Sequence, residues 1–318
     1  MTKFGPEPKP CRSLGHLAVL AGIGCLALAG CATTETFYNT NHDLDTVSVI
    51  NRATLRVTDT IAVGRRPVGI VINGRKTYAY ATNSGSNTVS IISTASDRVI
   101  ATVDVGARPF GLDINAAGTL VFVANAESNT LSTIDTATNA VTATVIVGEG
   151  PTGVAVNPAG TLVYVANQIG NTVSVVSVAT GNVTASIPVG TRPMALVVSG
   201  SGSLVYVVNS GSDTVSAIDT ALNAVVDTVG VGKGHIGLAI DPSDRFVYVA
   251  NQHGNSVSVI RVATNAVTAT VALAEGPTGI LVNPAGTLVY VVNMFTNAVS
   301  LISTSTHRIQ AMIREGTS

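Results

Sequence analysis

A seven-bladed, all-β propeller is the fold this sequence predicts, and three observations predict it. An aromatic anchor returns every 42 residues, at Tyr38, Tyr80, Phe122, Tyr164, Tyr206, Tyr248 and Tyr290, with no insertion. Around each anchor lie four short runs rich in Val, Ile, Thr and Tyr, bounded by Gly, Pro, Asn or Ser, the punctuation of strands and turns. No run after residue 31 carries an apolar period of 3.6 long enough for a helix. Four strands in a unit of about 40–45 residues is a propeller blade, and propellers carry about 4–8 of them.

The unit is clearest in its fourth copy. PTGVAVN (Pro151–Asn157) is the inner strand A, and the turn PAG leads into strand B, TLVYVAN. QIGN leads into strand C, TVSVVSV, and ATGN into strand D, VTASIPVG. Each blade packs both faces on its neighbours, so apolar residues blur the alternation of its strands. The phrase NPAGTLVYVAN at Asn157–Asn167 recurs at Asn283–Asn293 with one change, three periods on. Such near-identity marks scaffold. Three residues after each anchor stands an Asn (Asn41 through Asn293), expected to close the B–C turn with a side-chain-to-backbone bond. Ten residues after it stands a Ser (Ser48 through Ser300), expected to meet a polar need at strand C. Gly153 and its counterparts are expected to permit tight strand entry.

The first 30 residues differ in kind. MTKFGPEPKPCRSLGH leads into LAVLAGIGCLAL, a basic stretch followed by an apolar one that reads as an export signal. It ends in Leu28-Ala29-Gly30-Cys31, which resembles a bacterial lipobox, in which the Cys is lipidated and becomes the first mature residue. Ordinary cleavage or an uncleaved anchor is the alternative. The expected organisation is therefore a signal at residues 1–30, a short linker at 31–37 and the propeller at 38–318. The three cysteines are Cys11, Cys25 and Cys31, so the mature domain holds no disulfide and no thiol catalyst. Losing Lys3, Lys9, Arg12 and Glu7 leaves 14 basic and 17 acidic side chains, a net charge of −3. No global field then draws the protein to nucleic acid, and the absence of Trp weakens readings built on base stacking.

The period also fixes how the ring closes. Strand A begins at Pro67, Pro109, Pro151, Pro193, His235 and Pro277, six times. The seventh copy falls on residues 25–31, CLALAGC, inside the signal. One blade is therefore expected to lack its inner strand once the signal is removed. Cys31 falls at the A–B corner of that blade. A–B and C–D turns share one face of a propeller, so a lipid there turns the B–C and D–A loops away from the membrane. One acyl chain anchors marginally, and two or more anchor stably.

The repeats resemble a known family. YNTN (Tyr38–Asn41), YATN (Tyr80–Asn83) and YVAN (Tyr164–Asn167), followed by NTVSV and a VG-x-x-P turn, look like the YVTN-family β-propeller repeats of surface-layer-like and periplasmic proteins. The resemblance covers residues 37 to about 316 and implies a seven-bladed ring, but no reaction.

Function is sought where the blades stop repeating. Arg66, Arg108, Arg192 and Lys233 precede strand A and are expected to ring the channel mouth as an anion-attracting arc. His235, in place of the usual Pro, is expected to join them. His42, Asp43, Asp45, Glu127, Asp213 and His253 lie further out on the B–C loops. Asp113 replaces the Val, Ala or Leu of other inner strands, and Arg108 is its expected ion-pair partner. For each, a solvated turn or a structural pair is the plainer reading. Gly232-Lys233-Gly234-His235-Ile236-Gly237 fits G-x-G-x-x-G, but a strand follows rather than the helix whose N-terminus would hold a pyrophosphate. No HExxH, GxSxG, Walker or EF-hand motif is present, and the histidines fall at unlike repeat positions. No cofactor is expected. Three functions are compatible: a non-catalytic envelope lipoprotein binding a protein or small anionic ligand on its loop face, a periplasmic enzyme or redox-enzyme partner of lactonase-like or quinone- or metal-dependent type, and a structural coat.

Overall fold

The computed structural model describes residues 26–29, 36–51, 56–273, 276–296 and 298–314. They form seven four-stranded antiparallel sheets, each of four strands consecutive in sequence and neighbouring in space. The one helical element among them is a single 3₁₀ turn, Met294–Thr296. Blade 4 shows the pattern: Pro151–Val156, Leu162–Asn167, Thr172–Ser177 and Asn182–Pro188, from the axis outward. A bulge interrupts the C–D pairing in every blade, at Val175/Val176 in this one, and such bulges sharpen the local twist.

The core lies between blades rather than within them. Tyr38, Val47 and Val49 of blade 1 pack on Ile70, Ile72 and Ala79 of blade 2, and the same arrangement steps around the ring. The seam between blades 7 and 1 closes through Phe37, edge-on to Tyr290 at 5.5 Å, within the cluster that also joins blades 6 and 7. An isolated blade would expose both apolar faces, so the units hold one another in place. Inner strands approach closely. A Cβ on Gly153 would stand 2.7 Å from the Met194 carbonyl of the next blade, and one on Gly69 would stand 2.6 Å from that of Phe110. These glycines thus serve the packing of adjacent inner strands.

The blade expected to lack its inner strand has one in the full chain. Leu26–Ala29 pairs antiparallel with Thr36–Asn41, Leu26 opposite Asn39. The 42-residue period reaches back into the end of the signal, but the register is offset by two: Ala27 faces the anchor Tyr38, 11 residues on, whereas Ala155 faces Tyr164, 9 residues on. Cys31 and its linker lie outside the described residues.

The recurring Asn works differently from the expected turn bond. Asn83 Nδ2 donates to the hydroxyls of Thr88 and Ser90, both at 3.0 Å. Asn125, Asn167, Asn209 and Asn251 repeat the geometry. The recurring Ser is thereby satisfied, while the buried Asn Oδ1 of blades 2 to 7 has no partner. Gly64, Gly106, Gly148, Gly190 and Gly232 pack on this amide: a Cβ on Gly148 would meet Asn167 Cγ at 2.5 Å.

Candidate functional site

The D–A loop and the B–C loop meet above six blades, 2 to 7. Ser84 N donates to Arg66 O and Gly85 N to Arg65 O, and the same contacts recur at Ala126, Gln168, Ser210 and Gln252. The residue before strand A sits in the left-handed region in six blades: Arg66 (φ 51), Arg108 (52), Gly150 (63), Arg192 (53), Gly234 (64) and Gly276 (73). An Asx carboxylate or amide from the preceding blade clamps each of its N–H groups. Asp45 holds Arg66, Asn87 holds Arg108, Asn129 holds Gly150, Asn171 holds Arg192, Asp213 holds Gly234 and Asn255 holds Gly276, at 2.8–3.2 Å. Asp45 and Asp213 are therefore scaffold, not departures from it.

Above this shared backbone the side chains obey an exchange rule. Where the left-handed residue is Gly, the B–C loop supplies a large side chain over it: Ile169 over Gly150, His253 over Gly234 and Phe295 over Gly276. Where it is Arg, the B–C loop yields the space in two blades and supplies a pairing carboxylate in the third. Gly85 lies against Arg66, Gly211 lies against Arg192, and Glu127 stands 3.7 Å from Arg108. Three blades thus present a guanidinium at the rim and three an apolar or imidazole group. A left-handed Arg costs about 1–2 kcal/mol where Gly costs nothing.

Blades 3 to 5 turn this rule into a cleft of about 510 Å³. Arg108 and Glu127 form one wall and Arg192 the other, with Glu149 and the two-thirds-exposed Ile169 between them. Phe110 and Thr152 lie at its base. Phe110 leaves blade 3 and packs on the cluster of blades 5 and 6, which places an aromatic ring across the central channel. The size suits a small molecule or a peptide segment.

The expected arc is only partly assembled. Arg108 and Arg192 share the cleft, whereas Arg66 lines a separate depression of about 400 Å³ with His42, Asp43, Asp45, Arg65 and Gly85. Lys233 occupies the loop position of Arg65 and Glu149, one residue before the guanidinium column, and lines neither hollow. His235 does not join a rim. It is wholly buried, with Nδ1 against Gly232 O at 3.0 Å and Nε2 unpartnered. Nor is the cleft a plain anion trap, since Glu127 and Glu149 balance its two arginines in number.

Asp113 has no ion pair with Arg108, whose guanidinium turns to Glu127 instead. Its Oδ1 accepts from Ile114 N at 2.8 Å, and its Oδ2 accepts from Val156 N of the next blade at 2.9 Å. It staples two inner strands together. Burial outweighs both of these hydrogen bonds and pushes its pKa up to about 7. Among the described residues no three His, Cys, Asp or Glu side chains converge as a metal site would need. Sequence reasoning passed over Ile169, Phe295 and Phe110. The signal was available in the 19-residue spacing of Gly150 and Ile169, Gly234 and His253, and Gly276 and Phe295, but only to a reader who knew that the two loops touch.

No protein-family model matches the chain, and no curated protein matches its sequence. Solved structures do match. The Kuenenia stuttgartiensis hydrazine synthase superposes with a TM-score of 0.77 at 20% identity, covering 85% of this chain and 92% of that one. A functionally unknown protein from Desulfotomaculum acetoxidans superposes with a TM-score of 0.76 at 15% identity, covering 94% and 97%. At these identities what is shared is the fold, a seven-bladed β-propeller.

Proposed function

We propose that this chain is a non-catalytic lipoprotein of the bacterial cell envelope whose propeller binds a protein segment in the cleft above blades 3 to 5. The observation that supports the reading is the cleft's composition. Two arginines held in a costly backbone conformation flank an exposed isoleucine, two carboxylates and an aromatic floor. Paired opposite charges around an apolar centre suit a peptide bearing a carboxylate and a basic group better than a small free anion. The export-signal pattern and Cys31 support an envelope location and a lipid anchor, and the YVTN-like repeats fit proteins of that compartment.

The test is a photo-crosslinker at Ile169, used on cell envelopes with wild type and with Arg108→Gly/Arg192→Gly. Glycine keeps the left-handed backbone, so the double variant folds. Loss of a discrete crosslinked partner in the variant is expected, and equal recovery would refute the assigned cleft. Fatty-acid labelling that disappears in Cys31→Ser tests the anchor. A second reading, a propeller that serves an enzyme, draws on the likeness to the hydrazine synthase chain. Stoichiometric metal in the purified protein, or turnover in a lactone-hydrolysis screen, would favour it.

A further inference from the structure

We propose that the A–B and C–D end of blade 6, together with the C–D turn of blade 7, is a binding site for a phosphate group, held by Arg245, Arg261 and His307. The site lies on the face opposite the cleft.

Three columns of the repeat break at this one place. Arg245 stands where blades 2 to 5 and 7 carry Thr77, Thr119, Thr161, Ser203 and Thr287, and blade 1 carries Glu35. Arg261 stands where they carry Asn51, Ser93, Asp135, Ser177, Asp219 and Ser303. Asp135 and Asp219 cap their own C–D turns, each accepting two backbone N–H bonds at 2.8–2.9 Å, so Arg261 forgoes a cap that its counterparts use. His307 stands where others carry Asp97, Asn139, Gly181, Asn223 and Asn265.

The three side chains converge on Phe246. The guanidinium carbons of Arg245 and Arg261 lie 5.8 and 5.2 Å from its ring centre, and the His307 ring meets it edge-on at 4.8 Å. Phe246 and Arg261 are cross-strand partners, so their side chains leave the same side of the blade. Two buried polar atoms here are unsatisfied. In blades 1 and 5 the anchor Tyr donates to the residue 59 positions on: Tyr38 to Asp97 at 2.6 Å and Tyr206 to Asn265 at 2.8 Å. Tyr248 finds His307 in that place, and neither the Tyr248 hydroxyl nor His307 Nδ1 has a partner. Tyr164 also lacks one, but its counterpart Asn223 keeps an acceptor amide.

The charge balance favours an oxyanion. Asp241 pairs with Arg245 Nε at 3.5 Å, and the same Nε donates to Ser243 Oγ at 3.0 Å, whereas Arg261 forms no ion pair among the described residues. Asp244 is engaged by the Gly200 and Ser201 N–H groups. Arg308 lies exposed next to His307. Burial, Arg261 and Arg245 together hold the His307 imidazole below its ordinary range. A doubly charged oxyanion accepts guanidinium bonds, offsets the repulsion and lets His307 take up a proton as a further donor. Affinity therefore falls as pH rises through the His307 pKa.

The experiment follows His307 by NMR pH titration in chloride, in sulfate and in inorganic phosphate. Sulfate keeps its charge throughout and isolates the histidine. Wild type is compared with Arg245→Thr/Arg261→Ser, which restores residues other blades carry and so preserves the fold. Sulfate and phosphate are expected to raise the His307 pKa by about one unit in wild type and to leave it unmoved in the variant. An unmoved pKa in wild type, or an equal shift in both proteins, overturns the site. Vesicles of phosphatidylcholine with and without phosphatidic acid identify the source. A preference for phosphatidic acid that the variant loses points to a lipid headgroup, and a free-anion response without that preference points to a soluble phosphate. The lipid arm alone relates to the proposed Cys31 anchor, which turns this face to the membrane; the free-anion arm stands without it.

Discussion

Blades 3 and 4 are neighbours with one backbone and opposite chemistry. Blade 3 carries Arg108 at the left-handed position, Glu127 on its B–C loop, Phe110 at the channel and Asp113 in its inner strand. Blade 4 carries Gly150, Ile169, Thr152 and Ala155 at the same positions. Both keep the VG glycine, the buried Asn, the Ser of strand C and the Asx clamp unchanged. The difference teaches that the ring is held by positions inside the blades, which leaves the rim free to vary in charge. In five blades one of two loops fills the space, and in blade 3 Arg108 and Glu127 fill it together as a pair.

The largest expected effect separates the inner strands of the two blades. Native Asp113 keeps its proton up to about pH 7, whereas the unfolded side chain ionises near 3.8. Its stabilising contribution is therefore full below 3.8 and is lost as pH rises through 7, because the unfolded state then binds fewer protons. The loss is a few kcal/mol in all. Denaturant titrations of wild type and Asp113→Asn should show the wild-type advantage shrinking from pH 4 to pH 8. A constant gap would mean that Asp113 is ionised in the native state.

Next come the scaffold glycines, where the comparison should vanish. Gly106→Ala and Gly148→Ala each drive a Cβ to within 2.5–2.7 Å of buried atoms around Asn125 and Asn167. Each should cost about 1–3 kcal/mol by overpacking, equally in the two blades. Thermal melts that separate them would show that the scaffold is not shared after all.

The exchange rule gives a smaller, coupled effect. Gly150→Arg alone runs into Ile169, whose Cγ1 would stand 2.7 Å from the new Cβ. Adding Ile169→Gly should recover most of the loss, with a coupling of about 0.5–3 kcal/mol in a double-mutant cycle. Zero coupling would break the rule. Smallest is Arg108→Gly, expected to stabilise by about 1 kcal/mol through relief of the left-handed Arg. Its exposed pair with Glu127 is worth less than about 1 kcal/mol, so the gain should survive removal of the pair.

How much was legible can be traced residue by residue. Tyr38 to Tyr290 gave the blade count, because a period is visible in one dimension. The Asn and Ser columns were visible as columns, but their bond to each other was not, since Asn83 and Ser90 meet only when strands B and C pair. Lys233 groups with the arginines because it too precedes a strand A, although it sits one residue off their column. The meeting of Arg245, Arg261 and His307 is not legible in the sequence because they come from three different turns.

By itself the sequence determined the repeat, the strand order and the sevenfold ring, because each follows from spacing along the chain. Only the tertiary structure decided which departures from the repeat meet. It set Arg108 and Arg192 across one cleft, turned His235 inward, gave Asp113 to Val156 rather than to Arg108, and gathered two arginines and a histidine around Phe246. The reason is physical: a propeller brings loops 19 residues apart, and the turns of successive blades, into contact through the stacking of its blades, and no local pattern records that distance.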